Sequence, residues 1–191
     1  MMDLDAYPIF RDHKSTLREL SKDDHDPENI QYMTDSQAEA VAFDDVKTQY
    51  ANDLGLSEES AASVDALISL ADGVWFIEFK NGAVNKRQVK DKARDSLLLF
   101  LDTVGKTIAF SRVNMDLIVV YNLERNPLPH QAQRGQPQES PSRLAIAEHF
   151  LERGGEELIR FDLGRYRRLY FRDVHTYSGE QFEAYRRAAG L

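Results

Sequence analysis

A chain of 191 residues, 42% of them apolar and 29% charged, is long enough to bury one substantial core and too apolar to stay disordered. It has no cysteine, which excludes disulfide scaffolds, thiol nucleophiles and cysteine-held zinc and suits a reducing cytoplasm. Thirty-two Asp and Glu against 24 Lys and Arg leave a net charge of −8, so any contact with nucleic acid needs a local basic patch or a metal ion.

The first 33 residues are polar and irregular, with an acid-rich stretch from Lys22 to Glu28, and read as an N-terminal arm, solvated or forming a short helix packed on the domain. Met1 to Tyr7 carry acids and no apolar block, so no secretory signal is expected. From residue 34 to 191 the pattern is that of one α/β domain. Ser36 with Glu39 resembles a capping box, and Ala38, Val41, Ala42, Val46 and Tyr50 recur at helical spacing as far as Asn52 and Gly55. Residues 64–80 read as a β-hairpin turning at Asp72-Gly73. A helix is predicted from Asn85 to Asp102, with Val89, Ala93, Leu97 and Phe100 or Leu101 inward. Arg112 to Asn122 is a near-continuous β-branched run, as a strand buried on both faces requires. The Pro- and Gln-rich stretch 124–142 reads as a flexible loop. A helix follows from Pro141 to Gly154-Gly155, then strands over Leu158–Leu163 and Arg168–Val174 and a last helix capped by Ser178 and Gln181. No apolar run spans a bilayer. The expected architecture is a mixed central sheet flanked by helices.

With Asp72 and Gly73 as the two turn residues, Leu70 faces Trp75, Ile68 faces Ile77 and Ala66 faces Phe79, so one hairpin face is wholly apolar. The other face brings Asp65, Glu78 and Lys80 together at the open end, the two carboxylates lying diagonally. Such a group can hold a divalent cation through hard oxygens, with the lysine positioning a water. It can equally be a cross-strand salt-bridge cluster. Glu39 lies beside the apolar stripe of its helix, where a carboxylate needs a partner or a metal, or else it serves only the helix cap. After the hairpin, Lys86, Lys90 and Arg94 recur every four residues, near Arg87, Gln88 and Lys92. Beside a helix N-terminus such a basic face can grip a phosphodiester backbone, or it is simply solvated.

Asp65, twelve residues, then Glu78-Phe79-Lys80, set in α-β-β-α-β order, resembles the PD-(D/E)xK nuclease superfamily. The resemblance covers roughly Ser36 to Asn122, with Val64 standing where the family often has proline. It implies a restriction-endonuclease-like fold, an αβββαβ-type core here followed by a β-β-α extension. It also implies a metal-dependent phosphodiester hydrolase acting on DNA, or RNA. By position Asp65 and Glu78 would bind Mg²⁺ or Mn²⁺, Lys80 would assist the attacking water, and Glu39 would match a further acid from the first helix. Gln88, Lys86 and Lys90 are the candidates for a helper residue on the next helix. The superfamily includes proteins that have lost activity, so the second reading is a non-catalytic interaction protein, such as an immunity or defence component. A protein partner or a homodimer fits either reading, and a membrane neither.

The five histidines are never at i, i+4 on one helix and form no zinc motif. Val104-Gly105-Lys106-Thr107 has only the tail of a phosphate-binding loop. Gly164 to Arg172 interleaves arginines with aromatics, which suits an ordinary strand or a base-stacking surface.

Overall fold

The computed structural model describes residues 2–23, 26–127 and 158–191. In chain order these form helix α1 (Pro8–Arg11), strand β1 (Lys14–Thr16), α2 (Leu17–Leu20), β2 (Lys22–Asp23), β3 (Gln31–Tyr32), β4 (Glu39–Ala42) and α3 (Phe43–Asp53). They continue with β5 (Ala66–Leu70), β6 (Gly73–Lys80), α4 (Lys86–Thr103), α5 (Ile108–Asn114), β7 (Met115–Tyr121), β8 (Asp173–Ser178) and α6 (Gly179–Ala188). Six strands make one mixed sheet in the order β1-β4-β5-β6-β7-β8, antiparallel as far as β6 and parallel from β6 through β8; β2 and β3 form a separate ribbon.

Alternation along the central strands divides the core in two. Val74 and Phe76 of β6, with Met115, Leu117 and Val119 of β7, face one side and pack against Phe43, Val46, Val89, Ala93, Leu97 and Phe100 of α3 and α4. Trp75, Ile77 and Phe79, with Ile118 and Val120, face the other and meet Leu17 of α2 and Phe182 of α6. The result is helices on both faces of a mixed sheet, as the element pattern predicts. All seven residues of β7 are buried, which accounts for its unbroken apolar run. Helix α4 is capped by Asn85, whose side chain accepts from the Arg87 and Gln88 N–H groups, and is followed by Gly105, whose φ of 61° lies in the left-handed region that favours glycine. The phosphate-loop fragment around Gly105 is therefore a helix C-terminus. Ser178 and Gln181 do form the capping box of α6.

Several local expectations are overturned. Residues 39–42 are strand and not helix: Val41 pairs with Leu67 and Ala42 with Ala66, and the helix starts only at Phe43. Ser36 and Glu39 form no capping box: Ser36 is buried and accepts the Ala38 N–H, its carbonyl accepts the Arg18 N–H, and Glu39 is on a strand. The N-terminal segment is not a solvated arm: its short helices pack on the domain through the fully buried Phe10 and Leu17, and β1 forms the edge of the sheet. Leu158–Leu163 is not a strand, Phe161 and Asp162 having φ near 60°, and the single C-terminal strand comes later, at Asp173–Ser178. Within Gly164–Arg172, Tyr166 and Phe171 are core residues, while Arg167 pairs with Asp173 and Arg172 with Asp116. The helix expected after Pro141 and most of the loop at 124–142 lie outside the described residues. No helix among the described residues is long and apolar enough to cross a membrane.

The hairpin turns one residue earlier than Asp-Gly suggests. Leu70 pairs with Gly73, so Ala71 and Asp72 are the turn, and Gly73 is a strand residue without positive φ. Its glycine character answers a different constraint: a Cβ there would lie 2.6 Å from the Asn114 carbonyl oxygen and 3.0 Å from an Arg172 guanidinium nitrogen. Each strand residue changes its partner by two positions, which preserves which side chains share a face. We expect Gly73→Ala to cost about 1–3 kcal/mol in urea unfolding through this clash. Gly82→Ala, where a Cβ meets nothing within 4 Å, should stay within about 0.5 kcal/mol of wild type.

Candidate functional site

The corrected register sharpens the cluster that the sequence places at the open end of the hairpin. Ala66 pairs with Ile77, so the next step sets Asp65 directly across from Glu78. The Asp65 N–H donates to the Ile77 carbonyl at 3.1 Å, and the Phe79 N–H donates to Asp65 Oδ2 at 2.6 Å, so this carboxylate closes the ladder where β5 begins. Glu78 shares its face with Phe76 and has no exposed surface. Lys80, two residues on, places Nζ 3.0 Å from Glu78 Oε1.

Helix α4 supplies a fourth member from within its basic run. Lys92 Nζ lies 3.3 Å from Asp65 Oδ1 and 2.9 and 3.1 Å from Glu78 Oε1 and Oε2, so one ammonium touches both carboxylates. The helix is held over this spot by its own polar residues: Asp95 accepts the Ala62 N–H at 3.0 Å and Ser96 accepts the Val64 N–H at 2.9 Å. Asp44, in the first turn of α3, accepts from the Ser63 hydroxyl and lies close enough to push the Asp65 carboxyl upwards. The signal for Lys92 was the spacing Gln88, Lys92, Ser96, one side chain per turn on a single side of the helix.

Burial, then the facing Asp65 charge, pushes the Glu78 carboxyl up to about 7, against the opposing pull of Lys92 and Lys80. Asp65 is raised for the same first reason, with Lys92 and the Phe79 N–H working against the shift. Burial by itself would lower Lys92, but Asp65 and Glu78 outweigh it and hold its ammonium above the ordinary range. One oxygen is left over: Glu78 Oε1 is buried and completes no hydrogen bond, although both ammonium groups are close.

The other predicted site residues are elsewhere. Glu39 is on β4, its side chain 69% exposed and paired with Lys14 at 3.0 Å. The β4–β5 register carries it towards Ser69, roughly 13 Å along the strand from Asp65, so it is neither a partner nor a ligand in this cluster. A concavity of about 330 Å³ lined by Lys14, Glu39, Val41 and Ser69 belongs to that far end. Lys86, Lys90 and Arg94 follow one side of α4, about 200° round the helix from the side of Gln88, Lys92 and Ser96. Lys86 and Lys90 lie 3.2 and 3.8 Å from Asp162, and Arg94 pairs with Asp91. Gln88 alone of the four nucleic-acid-binding candidates is on the cluster's side, and it is exposed.

Asp65 and Glu78 fit a hard divalent cation in donor chemistry, and the unbonded buried Oε1 is an oxygen such an ion could use. No group of three His, Cys, Asp or Glu that could hold a metal exists among the described residues. Two carboxylates are nevertheless an ordinary complement for Mg²⁺, which keeps several waters and takes further ligands from phosphate. No protein-family model, curated protein or solved structure matches the chain.

The Glu78 shift has a definite sign. Its folded value lies above the ordinary 4.5, so between about pH 4.5 and 7 the folded chain keeps a proton that the unfolded chain releases. That stabilisation is complete below about 4.5 and is lost as pH rises through about 7. The carboxyl ¹³C resonance of Glu78 should titrate near pH 7, and Lys92→Met, removing an opposing cation, should move the midpoint higher.

Proposed function

We propose that the protein is a metal-dependent phosphodiester hydrolase acting on nucleic acid, DNA before RNA, with Mg²⁺ or Mn²⁺ held by Asp65 and Glu78. The observation that carries this reading is the placement of a fully buried glutamate directly across the hairpin from an aspartate, with a lysine two residues further along the same strand. These are the three positions on which the resemblance to the PD-(D/E)xK superfamily rests. A buried carboxylate pair with an upward-shifted pKa is the kind of perturbation that marks functional sites.

In this reading the chain's groups divide the work. Asp65 is anchored by the Phe79 N–H, which fixes one of its oxygens and leaves the other to face the cluster. Lys80, 3.0 Å from Glu78 Oε1, orients a water for in-line attack on phosphorus. A bound divalent ion would offset charge on the non-bridging phosphate oxygen. Asp44 adds negative potential at the aspartate's side. The absence of cysteine suits a cytoplasmic setting.

The closed ion cluster favours one other reading, a non-catalytic interaction protein whose acidic surface meets a basic partner, as in immunity or defence systems. Activity separates the two. Lys80→Ala should lower Mn²⁺- or Mg²⁺-dependent cleavage of single- or double-stranded DNA by about 10²–10⁴-fold, and Glu78→Gln should abolish it, with Glu39→Gln unchanged. Undiminished cleavage in the Lys80 and Glu78 variants would sink the hydrolase reading.

A further inference from the structure

We infer that Lys92 is the resident cation of the Asp65–Glu78 pair and that a divalent ion must displace it, so the metal and this ammonium occupy the site by turns. The inference rests on the reading of that pair as a metal site. Among the described residues Lys92 is the one cation that reaches both carboxylates; Lys80 reaches Glu78 alone. An ion bound by both acids needs an oxygen from each. On Asp65, Oδ2 is committed to the Phe79 N–H, which leaves Oδ1, the oxygen that Lys92 holds at 3.3 Å. On Glu78, the buried Oε1 has no completed hydrogen bond and lies 2.9 Å from the same Nζ. The oxygens best placed for a metal are therefore those that the ammonium now faces.

Charge makes joint occupancy unfavourable. With both acids ionised their charge is balanced by Lys80 and Lys92, and a doubly charged ion sharing the oxygens that Lys92 contacts would repel its ammonium. The side chain reaches the surface: it is 15% exposed, sits on a flexible four-carbon stem, and has the exposed Gln88 one turn away on the same side. The need for displacement lowers the apparent metal affinity, because only the Lys92-out state accepts the ion. It also delivers a free ammonium to the mouth of the site when the metal arrives, which links metal loading to binding of an anionic substrate.

Isothermal titration of Mn²⁺ into wild type, Lys92→Met and Lys92→Gln, at one pH above the Glu78 midpoint of all three so that this carboxyl is ionised throughout, tests this without an activity measurement. Both variants should bind at least about tenfold more tightly than wild type, and adding Asp65→Asn to Lys92→Met should remove the gain. Lys92→Gln keeps a donor towards Glu78, which guards against misfolding, and circular dichroism checks the fold of each. Binding by wild type equal to or tighter than both lysine variants would overturn the inference and leave the metal site standing. No binding by any of the three would overturn both. In wild type, the Lys92 ¹³Cε resonance should move towards that of an exposed lysine as Mg²⁺ is added; an unmoved resonance while Mg²⁺ binds would also defeat displacement.

Discussion

Burying a carboxylate in a sheet costs several kcal/mol of lost hydration unless charge or a proton compensates it, and the neighbourhood of Glu78 is arranged around that cost. Lys80 reaches it from its own strand, Lys92 from the helix above, and its pKa rises to about 7. Each form of compensation constrains something larger. For Lys92 to reach both acids, α4 must lie across the open end of the hairpin, and the Ala62 and Val64 N–H groups dock it there on Asp95 and Ser96. For Asp65 to face Glu78, β5 and β6 must pair in one register, which the Phe79 N–H reinforces by donating to the aspartate. A local charge problem thus specifies how a strand, a hairpin and a helix meet.

Such a cluster is poorly explained by stability. Replacing a buried ion pair with well-packed apolar groups is often neutral or stabilising, because desolvation offsets the Coulombic gain. The face on which Glu78 lies continues Val74 and Phe76, so an apolar residue would extend the core without interruption. The chain instead places two acids and two amines at the edge of that core and leaves Oε1 without a hydrogen bond. In the hydrolase reading, the raised Glu78 carboxyl and its buried oxygen without a hydrogen bond have a use that packing does not give them.

What could be read from the sequence was what alternation fixes. The assignment of Asp65, Glu78 and Lys80 to one face survived a wrong turn position, since a shift of two in pairing leaves every face unchanged. Asp72-Gly73 misled because glycine serves either turn dihedrals or close approach, and here the crowding by Asn114 and Arg172 decides. Glu39 misled because the short apolar run Ala40-Val41-Ala42-Phe43 satisfies both periods; pairing with β1 and β5 makes its first part a strand. Lys92 was hidden by its neighbours. Five basic residues within nine positions look like one charged face, and only the direction in which α4 docks separates the inward lysine from the outward ones.

That separation bears on how a polyanion could be recognised. The outward side of α4, read from the sequence as a grip on phosphates, is met by Asp162 and Asp91. With a net charge of −8 the long-range field opposes a nucleic acid as well. In the hydrolase reading the groups at the site itself act at short range: a bound cation, Lys80, Gln88 beside it, and Lys92 if it is displaced. A surface of this kind engages one phosphate and its immediate neighbours better than an extended backbone. In the hydrolase reading, a partner that adds basic surface would raise affinity for a long substrate, and a net charge of −8 would favour binding such a partner.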